Sequence, residues 1–167
     1  MKSNSYWPRQ TLSTTLANAA RDIPAQEALV IAGRRLTYAQ LWQSVQQVAA
    51  ALHAAGVRRG DHVAVCMGNS IEWVVFFYAA AALGAVTVPV NTRFKADEFE
   101  YCLKQADVKL LFVADRFLNI DFISMLRGFC PAVDTRLPDA KLPQLGNVVV
   151  LGGDVPKAAV SHKDFLA

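Results

Sequence analysis

Apolar side chains recur at steps of three and four after Thr37, a spacing that places them on one face of a helix. The residues on this face are Leu41, Val45, Val48, Leu52 and Ala55. Thr37 and Gln40 are three residues apart, and their side chains predict a capping box at the start of the helix. Gly56 follows the apolar face and predicts that the helix ends in a left-handed turn.

The residues before this helix carry shorter patterns. Residues 1–10 are predicted to form an irregular arm, and the spacing of apolar residues over 11–21 predicts a short helix. Two short runs, 28–31 and 35–37, flank the turn residue Gly33 and predict a β-hairpin.

Beyond Gly56, short apolar runs alternate with helical patterns. The predicted strands are 62–67, 85–90, 108–114 and 147–151; the predicted helices are 69–83, 95–106 and 115–129, with a last helix beginning at 162 and a surface loop over 131–146. Asn69 and Glu72 are predicted to cap the helix that begins at 69. Strands that are apolar throughout and are joined by helices predict a parallel sheet buried on both faces. The predicted fold class is therefore a three-layer α/β domain, with a mostly parallel sheet flanked by helices.

The stretch from Trp73 to Thr92 contains no charged residue and has about the length of a membrane span. Gly84 and Pro89 interrupt it, and its composition changes from alanine and aromatic residues to β-branched residues at Gly84. We therefore predict a buried helix, a turn and a buried strand, with no transmembrane segment. A membrane-attached protein is the alternative.

Composition supports a folded globular domain. The chain has 167 residues, of which 53% are hydrophobic, and its formal net charge is +3. Lysine and arginine are scattered, which argues against a nucleic-acid surface. Cys66, Cys102 and Cys130 are far apart, and this spacing favours reduced thiols over a disulfide framework or a zinc site. No signal peptide is visible in the first twenty residues, so a cytoplasmic protein is expected.

Candidate chemistry is sparse in the sequence itself. The three histidines, His53, His62 and His162, have no metal-ligand spacing, and a structural or exposed role is expected for each. Ser161 lacks the context of an activated nucleophile. The acidic residues at the start of the helix over 95–106 complement the helix dipole. A simple turn is expected at residues 152–153, because two glycines alone are weak evidence of phosphate binding. No catalytic and no metal-binding residue is predicted.

Five short motifs nevertheless follow the order and spacing of one enzyme superfamily. They are L-T-Y-A-Q-L at 36–41, G-D-H-V-A-V at 60–65, N-S-I-E at 69–72, L-G-A at 83–85 and V-P-V-N at 88–91. From about residue 11 to 114 the chain resembles the adenylate-forming (AMP-binding) enzymes. The form N-x-R at 91–93 is most similar to fatty or aryl acyl-CoA synthetases. Gln40 stands where the family more often has glutamate, a change that the capping role tolerates.

The resemblance implies an enzyme that uses ATP, Mg²⁺ and CoA to convert a carboxylic acid into its CoA thioester through an acyl adenylate. The family's phosphate-binding loop, of the form T-S-G-T-T-G-x-P-K, does not occur in the 167 residues and is expected soon after them. Residues 11–167 are therefore expected to be a truncated N-terminal α/β subdomain that is inactive alone and binds none of these cofactors tightly.

Arg93 is the one candidate binding residue. It follows the strand that ends near Pro89, where ligands gather in open α/β sheets, and the resemblance implies a contact with the CoA phosphates. A surface charge or a residue that flanks a helix is the alternative. A truncated sheet would also expose apolar surface, so self-association is expected. A non-catalytic α/β interaction module, or a truncated relative, is the alternative to the enzyme.

Overall fold

A computed structural model describes residues 10–167, so the predicted arm at 1–10 lies almost entirely outside the described residues. The helices are α1 (Leu12–Asp22), α2 (Tyr38–Ala54), α3 (Ile71–Leu83), α4 (Ala96–Gln105), α5 (Phe122–Phe129) and α6 (His162–Phe165). The strands are β1 (Glu27–Ile31), β2 (Arg34–Thr37), β3 (His62–Cys66), β4 (Val86–Pro89), β5 (Leu110–Ala114), β6 (Arg116–Phe117), β7 (Ile120–Asp121), β8 (Asn147–Leu151) and β9 (Val160–Ser161).

Five strands form one parallel sheet in the order β4-β3-β5-β8-β9, which confirms the predicted fold class. The chain passes from β3 through α3 to β4 on one side, and then returns through α4 to β5 on the other side of β3. The short strands β1 and β2 form a separate antiparallel hairpin, as predicted.

Two hydrophobic layers cover the two faces of this sheet. Val63 and Val65 of β3 pack with α1, α2 and α3, whereas Ala64 and Cys66 of the same strand pack with α4 and α5. Successive side chains of a strand point to opposite faces, so a strand covered on both sides needs an apolar residue at every position. This requirement explains the uninterrupted apolar runs in the sequence.

The uncharged stretch folds into the predicted helix, turn and strand, but the prediction that the strand is buried is wrong, because β4 lies at the edge of the sheet and is only partly covered. α3 ends at Leu83, and Gly84 adopts a φ of 69°, the left-handed conformation that glycine tolerates best. β4 then begins at Val86 and pairs with β3. Among residues 10–167, no helix has the length and apolar content that crossing a membrane requires.

Helix α2 also follows its predicted pattern. The Thr37 hydroxyl accepts a hydrogen bond from the Gln40 backbone amide at 3.3 Å, and the Gln40 side chain accepts one from the Thr37 amide at 2.9 Å. Gly56 has a φ of 88°, in the left-handed region expected after the helix.

Three further local predictions are wrong. Ser70 rather than Asn69 caps α3, because its hydroxyl accepts the Trp73 amide at 3.0 Å, while Glu72 pairs with Arg34 instead of closing a capping box. The predicted helix over 115–129 begins only at Phe122, because the residues before it form the hairpin of β6 and β7. The predicted surface loop over 131–146 contains a short 3-10 helix and buries Val133, Leu142 and Leu145.

Replacing Phe99 with alanine is expected to lower the free energy of unfolding by about 3–5 kcal/mol. The Phe99 side chain is 1% exposed and packs edge-on against Phe129, with 5.5 Å between the ring centroids. Tyr101→Ala on the same helix is the matched control, since Tyr101 is 66% exposed and its loss is expected to change stability by less than about 0.5 kcal/mol. Urea denaturation measures both variants, and equal losses would contradict the assigned core.

Candidate functional site

The carboxyl ends of the parallel strands form one edge of the sheet, which we call the carboxyl edge. It consists of the segments 67–70, 90–95, 115–117 and 152–154, which follow β3, β4, β5 and β8 respectively. β3 leads into α3 on the first face, while its neighbour β5 leads toward α5 on the second face. Ligands of open α/β sheets bind in the crevice that such a change of direction creates. The carboxyl edge is therefore the candidate site.

Arg93 lies on this edge, directly after β4. Its backbone amide donates to the Asn91 side-chain oxygen at 2.9 Å, and the Phe94 amide donates to the Asn91 carbonyl at 3.1 Å, so the loop is a defined turn. Arg93 is exposed and forms no ion pair with any residue from 10 to 167. Its guanidinium is thus available to an anion.

The other two arginines near this edge are already paired. Arg116 lies 2.9 Å from a carboxylate oxygen of Asp121. Arg127 of α5 donates two hydrogen bonds to Asp154, at 2.7 and 2.9 Å, and one to Asp134, at 2.9 Å. The bonds to Asp154 and then to Asp134 raise the pKa of Arg127, and the hydrogen bonds from Arg127 lower the pKa of Asp154.

Asp115 joins the loops that follow β5 and β8. Its carboxylate accepts the Gly153 amide at 2.8 Å and the Arg116 amide at 2.7 Å, while its own amide donates to the Leu151 carbonyl at 3.0 Å. Gly152 passes directly beneath this carboxylate with a φ of 144°. The Asp115 carboxylate therefore holds the turn at residues 152–153 against β5, and we call this contact the clamp. The sequence predicted only a simple glycine turn at this position.

The Phe117 side chain covers the carboxyl end of β3. Its ring packs against Gly68, where an added Cβ would lie only 2.1 Å from a ring carbon. Only glycine permits this close approach, so the ring seals the end of β3. Nothing in the local sequence indicates this contact, since the two residues belong to different strand ends.

The remaining titratable residues singled out in the sequence lie away from reactive geometry. His62 bonds the Ala106 carbonyl through Nδ1, and the His162 ring lies 5.3 Å from that of Phe112. The three cysteines are free thiols; burial raises the pKa of Cys66 to about 12 and that of Cys130 to about 11. Thiols with such values are poor nucleophiles at neutral pH. Within residues 10–167, no three histidine, cysteine or acidic side chains converge as a metal site.

A cleft of about 590 Å³ runs along α4, beginning next to Arg93. Its lining residues are Phe94, Asp97, Glu98, Tyr101, Cys102, Gln105 and Ala106. The two carboxylates lie in the first turn of α4, where negative charge complements the helix dipole as the sequence predicted. No cationic side chain lines this cleft, so the cleft does not extend the exposed positive charge of Arg93.

Comparison with known proteins gives a consistent result. A family model described as AMP-binding enzyme matches residues 16–163. The chain is 34% identical over 153 residues to the mitochondrial medium-chain acyl-CoA ligase ACSF2 of Bos taurus, covering 88% of this chain and 25% of the relative. It is 37% identical over 158 residues to a methyl-dioxo-octahydro-indenyl propanoyl:CoA ligase of Rhodococcus jostii (strain RHA1), covering 94% and 29%.

Solved structures agree in fold. The anthranilate CoA ligase AuaEII in complex with anthranoyl-AMP superposes with a TM-score of 0.80 at 28% identity, over 97% of this chain and 29% of that one. The N-terminal domain of FACL13 from Mycobacterium tuberculosis gives a TM-score of 0.70 at 28% identity, over 86% and 34%. The chain therefore spans about a quarter to a third of the length of the proteins that it matches.

Replacing Gly152 with alanine is expected to destabilise the fold by about 1–3 kcal/mol. The φ of 144° is unfavourable for an L-residue, and an added Cβ would lie 2.0 Å from the Asp115 carboxyl carbon. Gly153→Ala is the matched control, because a Cβ there meets no heavy atom within 4 Å. Thermal and urea unfolding compare the two variants, and a Gly153→Ala loss as large as that of Gly152→Ala would contradict the clamp.

Proposed function

The chain belongs to the family of AMP-binding enzymes, and we propose that it is the amino-terminal part of an ATP-dependent acyl-CoA synthetase. In the proposed reaction, a carboxylate attacks the α-phosphate of ATP and releases pyrophosphate, giving an acyl adenylate. The CoA thiol then attacks the acyl carbon, forming a thioester and releasing AMP and a proton. The observation that carries the proposal is the similarity to acyl-CoA ligases along nearly the whole chain, at 34% identity over 153 residues for one relative.

Residues 11–167 are proposed to be the first α/β subdomain of that enzyme, before its phosphate-binding loop. No stretch of the 167 residues resembles T-S-G-T-T-G-x-P-K. ATP and Mg²⁺ would therefore be held mainly by other parts of the synthetase. The role of this subdomain is to provide a rigid sheet whose carboxyl edge forms one wall of the site.

Arg93 is proposed to contact a phosphate group of CoA. A guanidinium donates several hydrogen bonds in a planar arrangement that matches phosphate oxygens. Arg93 is exposed at the end of β4, and its loop is ordered by Asn91. Since Arg116 and Arg127 are committed to carboxylates, Arg93 is the arginine of the described carboxyl edge that suits an incoming phosphate.

The remaining assignments follow from the same proposal. The acid is proposed to be a fatty or aryl acid, and the enzyme is proposed to act in the cytoplasm. Self-association of the isolated chain is proposed because Val86, on the sheet edge formed by β4, is 46% exposed. No observation favours the alternative of a non-catalytic interaction module.

The purified 167-residue chain is expected to release no pyrophosphate above background with ATP, Mg²⁺ and a panel of fatty and aryl acids, because it has no phosphate-binding loop. A longer chain that includes this loop and the domain after it is the positive control, and it is expected to turn over at least one acid. Turnover by the 167-residue chain would overturn the proposed inactivity, and a longer chain inactive toward every acid would count against the synthetase.

In the longer enzyme, Arg93→Ala is expected to raise the KM for CoA by about tenfold or more, the effect of losing one charge-assisted hydrogen bond. The KM values for ATP and for the acid are expected to stay unchanged, and Arg93→Lys is expected to fall in between. Arg59→Ala is the matched control, because Arg59 is an exposed arginine that precedes β3 and so lies at the opposite edge of the sheet. An unchanged KM for CoA would exclude the assigned contact.

A further inference from the structure

The last eight residues, 160–167, which we call the C-terminal segment, are attached to the domain by a short strand pairing and by side chains that pack against the core of the first face. Val160 and Ser161 form a two-residue parallel pairing with β8. The side-chain amide of Gln47, on α2, donates a hydrogen bond to the Leu166 carbonyl at 3.4 Å. A strand pairing of two residues contributes little binding free energy by itself. The side chains of the segment must therefore supply much of the free energy that holds it on the domain.

The His162 side chain is central to this attachment. It is half-buried, and its ring lies against Phe112 of β5 with 5.3 Å between the centroids and 32° between the planes. Phe165, one turn later, lines the same small apolar space together with Val149 of β8. The imidazole is thus packed against the core of the sheet's first face.

A cavity of about 140 Å³ lies on the other side of His162. Its polar lining comes from Arg34, Ser44, Gln47 and Glu72, and Leu166 closes it. Arg34 of β2 and Glu72 of α3 form an ion pair across this space, with 2.8 Å between nitrogen and oxygen. The His162 imidazole therefore lines a cavity whose other walls are the hairpin of β1 and β2, helix α2 and helix α3.

The charged groups around His162 can be assigned element by element. Glu72 and its partner Arg34 face it from α3 and the hairpin, whereas α2 contributes neutral Ser44 and Gln47. The groups that face it from β5 and β8, Phe112 and Val149, are apolar. On its own segment, Lys163 is exposed and the Asp164 carboxylate accepts the Ser161 hydroxyl at 2.6 Å.

Burial lowers the pKa of His162 below its ordinary value of 6.5, although Glu72 opposes the shift. Burial would raise the pKa of Glu72, but the hydrogen bonds from Arg34 and from a backbone amide, together with the charge of Arg34, outweigh burial and leave that pKa lowered, so Glu72 stays ionised. At neutral pH the imidazole is uncharged, and its packing against Phe112 carries no charge penalty.

We propose that His162 is an acid-sensitive latch: the neutral imidazole holds the C-terminal segment against β5 and α3, and its protonation releases the segment. The released state binds the proton more readily than the docked state, so docking is fully favourable above a pH of about 6.5 and weakens as the pH falls below it. The arginine that neutralises Glu72 also limits the attraction that would otherwise retain a protonated ring.

This latch has a consequence only if the proposed function holds. The synthetase would continue from the C-terminal segment toward its phosphate-binding loop, so release of the segment would loosen the support of that loop. The latch itself concerns residues 160–167 and is tested on the isolated chain, so it stands or fails independently of any synthetase activity.

Hydrogen exchange of peptides covering residues 160–167, corrected for the intrinsic pH dependence of exchange, tests the latch between about pH 7.5 and pH 5. Protection is expected to be constant above about pH 6.5, to fall by up to about tenfold per pH unit between about pH 6.5 and the pKa of the docked imidazole, and to level off below that pKa. His162→Phe keeps a ring against Phe112 without a titrating group, so its protection is expected to stay constant over the same range. Peptides from β5 serve as an internal reference and are expected to remain protected.

Two outcomes would overturn the latch. One is constant protection of residues 160–167 in the unsubstituted chain, and the other is the same loss of protection in His162→Phe. An NMR titration of the His162 imidazole gives an independent check that does not depend on the variant folding. A value below 6.5 supports the latch, and a value at or above 6.5 excludes it.

Discussion

The burial of β3 and β5 on both faces of the sheet is the constraint on which the rest of the structure depends. All five residues of β5 and four of the five residues of β3 are buried. Each of these strands needs an apolar side chain at every buried position and a helical layer above and below it. The chain meets this need by crossing from face to face, which explains why helices and strands alternate from residue 62 onward.

The same constraint determines where polar chemistry is found. The described core contains no buried polar or charged residue, so functional groups are found where strands end. At the carboxyl edge, Asp115 and Arg127 fix the loops after β5 and β8 through bonds to Gly153 and Asp154. Arg93, in the loop after β4, forms no ion pair with any residue that the structure describes. The charge-paired loops after β5 and β8 therefore lie beside the exposed guanidinium of Arg93, and the exposed Lys95 follows two residues later.

The sequence predicts what depends on neighbouring residues and misses what depends on distant ones. The turn at Gly84 is predictable because it depends only on the local backbone conformation. The apolar face of α2 is predictable because it depends only on the spacing of apolar residues within that helix. Ser70 and Asn69 are both good caps, and the position of Ile71 in the core decides between them. The clamp on the turn at residues 152–153 escapes prediction because Asp115 bonds Gly153, 38 residues away. The place of Arg93 on the candidate site is visible from the strand that precedes it, but the pairing of Arg116 and Arg127 requires the fold.

The position of α1 and α2 in the chain bears on how the protein assembles during translation. These helices cover the first face of the sheet, yet they are made before any strand of that sheet exists. As they leave the ribosome, their apolar faces have no sheet to cover until β3 and β5 have followed, dozens of residues later. For that interval the emerging polypeptide exposes an apolar helix face, the kind of surface that is prone to aggregation and that chaperones bind.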